Sequence, residues 1–200
     1  MPFLQKLRAE SARARGIVVF TASAVIAAFG EKSPSTVPSA QFNEYHEKAA
    51  YLLNFTRYVE WPAKSFKATN SPIVISILGQ DHFGEELRTL LADQTVQGRK
   101  LIVRRISSLD ELKDSQIVFV SESEKKRTAR VLQLLKATPV LTVGETDKFL
   151  QAGGMINFRL KDDSLWLDIN QTAAERVGLK ISSKLLLIAD RSKPARALPK

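Results

Sequence analysis

Not one cysteine occurs in the 200 residues. That excludes a disulfide framework, a zinc–thiolate site, a thiol redox switch, a cysteine nucleophile and a lipid-anchored cysteine. Histidine is nearly as scarce, with only His46 and His82. His46 has Glu44 and Glu47 beside it, but residues one or two apart on a helix do not share a face, so they form no metal set. Catalytic signatures are missing as well. There is no Gly-x-Ser-x-Gly elbow, no Walker loop and no Gly-x-Gly-x-x-Gly, and "GQDHFG" has two glycines, Gly79 and Gly84. Gly153 and Gly154 precede a strand instead of opening a helix, so they make a turn and not a phosphate cradle. The acids Asp162 and Asp163 fall at a hairpin tip, where water removes the perturbation that acid–base work requires. These patterns assign no catalytic residue, no metal and no cofactor, and the expectation is a protein that is not an enzyme.

What is present is an ordinary globular composition, 44% apolar and 26% charged. A chain of this length buries roughly 70% of its unfolded surface in one domain. Its start differs from the rest. Lys6, Arg8, Arg13 and Arg15 precede "GIVVFTASAVIAAFG" (Gly16 to Gly30), which carries no charge. As a helix that span reaches about 22 Å, short of the roughly 30 Å hydrocarbon core. A basic region, an apolar region and the small-x-small ending Ala28-Phe29-Gly30 read as a secretory signal peptide, residues 1–30, and place the mature protein in the periplasm. An uncleaved membrane anchor is the alternative, disfavoured by the short span. Without the leader, 26 basic and 20 acidic groups remain. Four of the basic ones, Arg191, Lys193, Arg196 and Lys200, lie in a proline-bearing tail, residues 191–200, that reads as solvated. No basic stripe is interleaved with aromatics, so nucleic acid is not an expected partner.

Residues 31–42, with "EKSPSTVPSAQ", are Ser/Pro-rich and read as a spacer before a domain over 43–190. Tyr45, Ala49, Leu52, Thr56 and Val59 fall at helical steps, and Tyr51, Phe55 and Tyr58 make a second stripe. Pro62 pushes Trp61 out of helical geometry and ends that element. "PIVISILG", apolar on both alternating sets, predicts a strand covered on both faces. "KLIVRRI", "QIVFVS" and "PVLTVG" repeat the type, with helical "DHFGEELRTLLAD" and "SEKKRTARVLQLLKA" between. In the second, Ala129, Leu132 and Leu135 form one side. "MINFRL" and "LWLDIN", joined by Lys161 to Ser164, predict a β-hairpin with one wetter face. Asn170 is placed to cap "QTAAERVG", which Gly178 ends, and "SKLLLIAD" is a last amphipathic segment. The fold class is α/β: one domain, a mainly parallel mixed sheet covered by helices, with a C-terminal hairpin.

Two sets of residues are candidates for binding. Open α/β sheets take ligands outside the carboxyl ends of their strands, which singles out Gly79, Gln80, His82, Ser121 and Gly144 as a crevice. Along the first helix, Leu52, Phe55 and Val59 are expected to pack on the sheet. Tyr51, Tyr58 and Trp61 are either further core or anchors for a dimer or partner.

The order of "KAAYLLNFTRYVEWP", "ISILGQDHFG", "VQGRKLIVRRI", "PVLTVGETDKFLQAGGMINF" and "DINQTAAERVGLKISSKLLLIA" resembles the YfiR-like family of periplasmic proteins, from about Glu47 to Ala189. The resemblance implies a compact α/β domain, often dimeric, that binds instead of catalysing. Its implied role is a repressor in cyclic-di-GMP signalling and biofilm control: it restrains an inner-membrane diguanylate cyclase through that enzyme's periplasmic part. An outer-membrane lipoprotein partner is implied to relieve the restraint. One departure is plain: relatives commonly carry a cysteine at the start of the strand "SQIVFV", and this chain has Ser115 there, so no redox role carries over. A small-ligand-binding module coupled to a transporter or sensor kinase is the alternative function.

Overall fold

The computed structural model describes residues 39–161 and 164–191. The expected signal peptide and most of the expected spacer and basic tail lie outside those residues. Helix α1 (Ser39–Tyr58) begins earlier than the helical steps from Tyr45 indicate and ends at Tyr58, short of Trp61. It stops there because Val59–Glu60 turns extended as β1 and pairs antiparallel with β9, Lys180–Ile181.

A seven-stranded sheet follows. β2 (Ile73–Leu78), α2 (Gly84–Ala92), β3 (Thr95–Val96), β4 (Arg99–Ile106), β5 (Ile117–Val120), α3 (Thr128–Leu135) and β6 (Leu141–Gly144) come first. β7 (Ile156–Lys161), β8 (Ser164–Ile169), α4 (Gln171–Arg176), β9 and α5 (Ser183–Arg191) complete the order. Across the sheet the strands run β3-β4-β2-β5-β6-β7-β8. β4, β2, β5, β6 and β7 are parallel, and β3 and β8 lie antiparallel at the two edges. This is the mainly parallel mixed sheet expected, with the hairpin built into its edge.

Alternation along the central strands divides the core. Ile117 and Phe119 of β5 join Leu52, Phe55, Leu87 and Leu185 on one face, while Val118 and Val120 meet Val131, Leu132 and Leu135 on the other. All four β5 side chains are buried, as a strand covered by helices on both faces requires. Each such side chain contributes roughly 1.5–3 kcal/mol by leaving water. Leu52, Phe55 and Val59 pack on the sheet as expected, at 2% exposure or less. On α3 the buried side is Thr128, Val131, Leu132 and Leu135, and Ala129 faces solvent. Asn170 caps α4 by accepting from the Ala173 N–H at 3.1 Å. β7 and β8 pair out to Lys161 and Ser164, so the turn is tighter than the four residues expected.

One mismatch in strand length positions the site. β7 pairs with β6 only at Ile156 and Asn157, opposite Val143 and Gly144. β6 stops there, while β7 continues to Lys161 in partnership with β8. The hairpin therefore stands as a wall beyond the carboxyl end of the parallel strands.

Candidate functional site: a cleft at the carboxyl end of the sheet

Against that wall lies a cleft of about 590 Å³. Glu44, Tyr45 and Lys48 reach it from α1, and His82, Glu122 and Glu145 from the segments after β2, β5 and β6. Asn157 and Phe158 begin the β7 wall, with Arg159 and Lys161 at its rim. This is the strand-end location where open α/β sheets take ligands.

Its floor is an ion knot. Lys48 is 2% exposed, and its ammonium donates to Glu145 Oε2 at 2.6 Å and to Glu44 Oε1. Glu145 Oε2 also accepts from the Tyr45 hydroxyl at 3.1 Å, and Glu145 Oε1 accepts from the Glu122 N–H at 2.8 Å. A buried lysine is tolerated only with such partners, because stripping water from an ammonium costs several kcal/mol. Tyr45 also presents its ring to Lys48 at 4.3 Å and lies 5.0 Å from the His82 ring. Burial, then the Glu145 charge and hydrogen bond, push the Tyr45 phenol well above its ordinary range, so it stays a proton donor.

One wall residue is left unserved. Asn157 is 4% exposed, and its Oδ1 has no hydrogen-bond partner. Natural cores pair the great majority of such atoms. Asn157 is in register with Gly144, so its side chain lies on the Phe149 face of the sheet, opposite Phe158 and the knot.

The sequence-derived crevice is only partly the observed one. His82 lines the cleft, whereas Gly79, Gln80, Ser121 and Gly144 are not among its walls. Chain fills the space beside them. A Cβ at Gly79 would strike Ser123 and Glu124, and one at Gly144 would strike the Phe149 ring. Ser123 Oγ accepts from the Gln80 N–H at 2.8 Å, and Ser121 is fully buried. The opening is displaced toward β7, where β6 ends early.

Tyr51, Tyr58 and Trp61 are each half-buried and packed against the core. Tyr51 lies 6.2 Å from the Phe55 ring and 5.8 Å from Phe158, and burial raises its phenol pKa. Trp61 donates its indole N–H to the Gln116 carbonyl at 3.1 Å. None of the three lines the cleft. Ser115, in place of the relatives' cysteine, shares a buried 2.7 Å hydrogen bond with Ser76.

Sequence reasoning missed Lys48, Glu44, Glu145 and Asn157. The signal for the first was available: Lys48 falls three residues after Tyr45 and four before Leu52, on the apolar stripe of α1, with Glu44 one turn back. A lysine in that register has to find a carboxylate inside.

Among the described residues no helix is long and apolar enough to cross a membrane, and no group of three His, Asp or Glu is placed to hold a metal. The comparison with curated proteins gives no match. Among solved structures, a conserved domain protein from Vibrio cholerae O1 biovar El Tor is similar at 12% identity and a TM-score of 0.47. The similarity covers 71% of this chain, which spans 58% of that chain's length. The family comparison is decisive: over residues 45–190 the chain matches the YfiR/HmsC-like profile and belongs to that family of periplasmic regulators, which is regulatory and not enzymatic.

Proposed function

We propose that this chain is a periplasmic repressor that holds a membrane signalling enzyme, a diguanylate cyclase, in its inactive state. The family match over residues 45–190 carries the reading. The partner is the periplasmic part of that inner-membrane enzyme, and an outer-membrane lipoprotein that competes for the repressor relieves it. The repressor acts as a homodimer.

The physical requirement is differential affinity. A protein that binds active and inactive forms equally shifts nothing, and each tenfold preference for the inactive form supplies about 1.4 kcal/mol toward it. The Lys48–Glu145 knot is compatible with such a role, since it ties α1 to the segment after β6 and fixes their relative position.

Deleting the gene tests the reading. Cellular cyclic-di-GMP and surface attachment should both rise, and the restored chain should bring them down. Crosslinking the exported chain in membranes should recover the cyclase. Unchanged cyclic-di-GMP in the deletion strain, with no cyclase recovered, would remove the proposal.

A further inference from the structure

One edge of the large sheet is mostly uncovered. β3 shields β4 only at Arg99 and Lys100, opposite Val96 and Thr95. From Leu101 to Ile106, β4 has β2 on one side and no strand on the other. The neighbouring bonds fix which backbone groups are left out. Val74 bonds to Gln116 on the β5 side, so Ile73, Ile75 and Ile77 turn toward β4 and engage its even-numbered residues. Gln97 and Gly98, both at positive φ, make a two-residue turn that closes on Arg99 and points the odd-numbered residues outward. The N–H and C=O groups of Leu101, Val103 and Arg105 therefore face out of the sheet, and among the described residues none has a hydrogen-bond partner on that side.

Side chains along this edge alternate between two faces. Leu101 and Val103 pack toward the core that holds Leu87 and Leu91 of α2. On the opposite face Lys100, Ile102 and Arg104 are exposed, Ile102 at 38%. β4 reads RKLIVRRI, with four basic residues and no acid. Arg99 is engaged by the Ala68 and Ser71 carbonyls, and Arg105 by Asp81. Lys100 and Arg104 have no ion-pair partner among the described residues.

These two charges decide what can pair here. Two copies of β4, side by side and antiparallel, would bring Lys100 onto Arg104 or two Arg104 side chains together, and like charges across a ladder are destabilising. An acidic strand meets the opposite field. It gains the same backbone bonds and sets its carboxylates beside Lys100 and Arg104.

We propose that the open edge of β4 takes up an extended acidic segment of a partner protein by strand addition. Leu101, Val103 and Arg105 supply the backbone bonds, and Lys100 and Arg104 select carboxylates on alternate residues of the incoming strand. This stands apart from the cyclase reading: one is read on β4 amides and the other in cellular cyclic-di-GMP, so either can fail alone.

Backbone NMR on the exported chain tests it, with an alternating glutamate–valine heptapeptide as the probe. In the free protein the Leu101, Val103 and Arg105 amides should exchange with solvent roughly tenfold or more faster than those of Ile102 and Arg104, which β2 holds. Millimolar peptide should slow those three amides and leave Ile102 and Arg104 as they were. A lysine–valine peptide of the same length should not, nor should the glutamate–valine peptide with its backbone amides N-methylated. Reversing both cations, Lys100→Glu with Arg104→Glu, should weaken the acidic peptide roughly tenfold and admit the lysine–valine one. Both side chains are exposed, so the melting temperature should stay near the parent's, and a chain that had merely lost its fold would not gain the basic peptide. No change at the three amides with the acidic peptide overturns the proposal, as does equal protection by the lysine–valine peptide. Concentration-dependent protection of the same amides in the chain alone overturns it too, because the edge would then belong to a second copy.

Discussion

Two buried carboxamides at opposite ends of the sheet behave differently. Gln116, just before β5, is 6% exposed and uses every polar atom it has. Its Oε1 accepts from the Val74 N–H at 2.8 Å, and its Nε2 donates to the Ser65 carbonyl at 2.9 Å. Its backbone N–H donates to Val74 at 2.9 Å, and its carbonyl accepts from Leu141 and Trp61. Asn157, level with the carboxyl end of β6, is as deeply buried and has an oxygen that nothing meets. The difference separates a carboxamide that ties neighbouring segments together from one that is buried without tying anything. The amino end of β5 is sewn to its neighbours through Gln116, and the carboxyl end of β6 is held instead by the ion knot at Glu145.

The largest blow to this contrast comes from the knot that floors the open end. Lys48→Met should destabilise the chain by about 3–5 kcal/mol in urea denaturation, because the buried Glu145 carboxylate, and with it the half-buried Glu44, loses its cation. Adding Glu145→Leu to that variant should recover much of the loss. A single variant costing under about 1 kcal/mol would mean that water reaches the knot.

Next comes the direct exchange between the two carboxamides. Gln116→Leu strands the Val74 N–H and the Ser65 carbonyl and should cost roughly 2–4 kcal/mol, at about 1–3 for each stranded group. Asn157→Leu removes an atom already unserved and should be neutral or stabilising. Equal losses in the two variants would erase the distinction.

The smallest effect is set by pH. Tyr45 has a folded pKa raised above its unfolded value, so its protonated form contributes stability that is complete below about pH 10, the unfolded pKa. As pH climbs further, the unfolded chain releases the phenolic proton first and stability drains away. Tyr51 is shifted in the same direction and adds to the slope. Stability measured between pH 9 and 11 should therefore fall more steeply in the parent than in Tyr45→Phe, and parallel curves would show that the phenol's surroundings are wet.

Much of the scaffold was legible because local patterns carry it. The doubly apolar "QIVFV" demanded helices on both faces and has them, and Asn170 announced the helix it caps. The hairpin was visible from its alternation, though not how far its pairing runs. The end of α1 was misjudged because Pro62 is the obvious breaker, whereas the acting cause, a two-residue ladder with β9, comes from far along the chain. The cleft was harder still. Lys48 reads in isolation as a solvated helix charge, and its partner Glu145 lies 97 residues away in sequence. Gly144 marked the right strand end, but Phe149 occupies the space its missing side chain leaves. The true opening depends on how many residues of β6 and β7 pair, a count that no single segment encodes.

The ladder between β1 and β9 has a further implication for how the molecule is made. Val59 meets Ile181, so the clasp stays undone until nearly the whole domain has been synthesised. Contacts this distant along the polypeptide are slow to form. The first helix can settle on the sheet through Phe55 and Lys48 before then, but the extension at its end is pinned only when the closing stretch arrives.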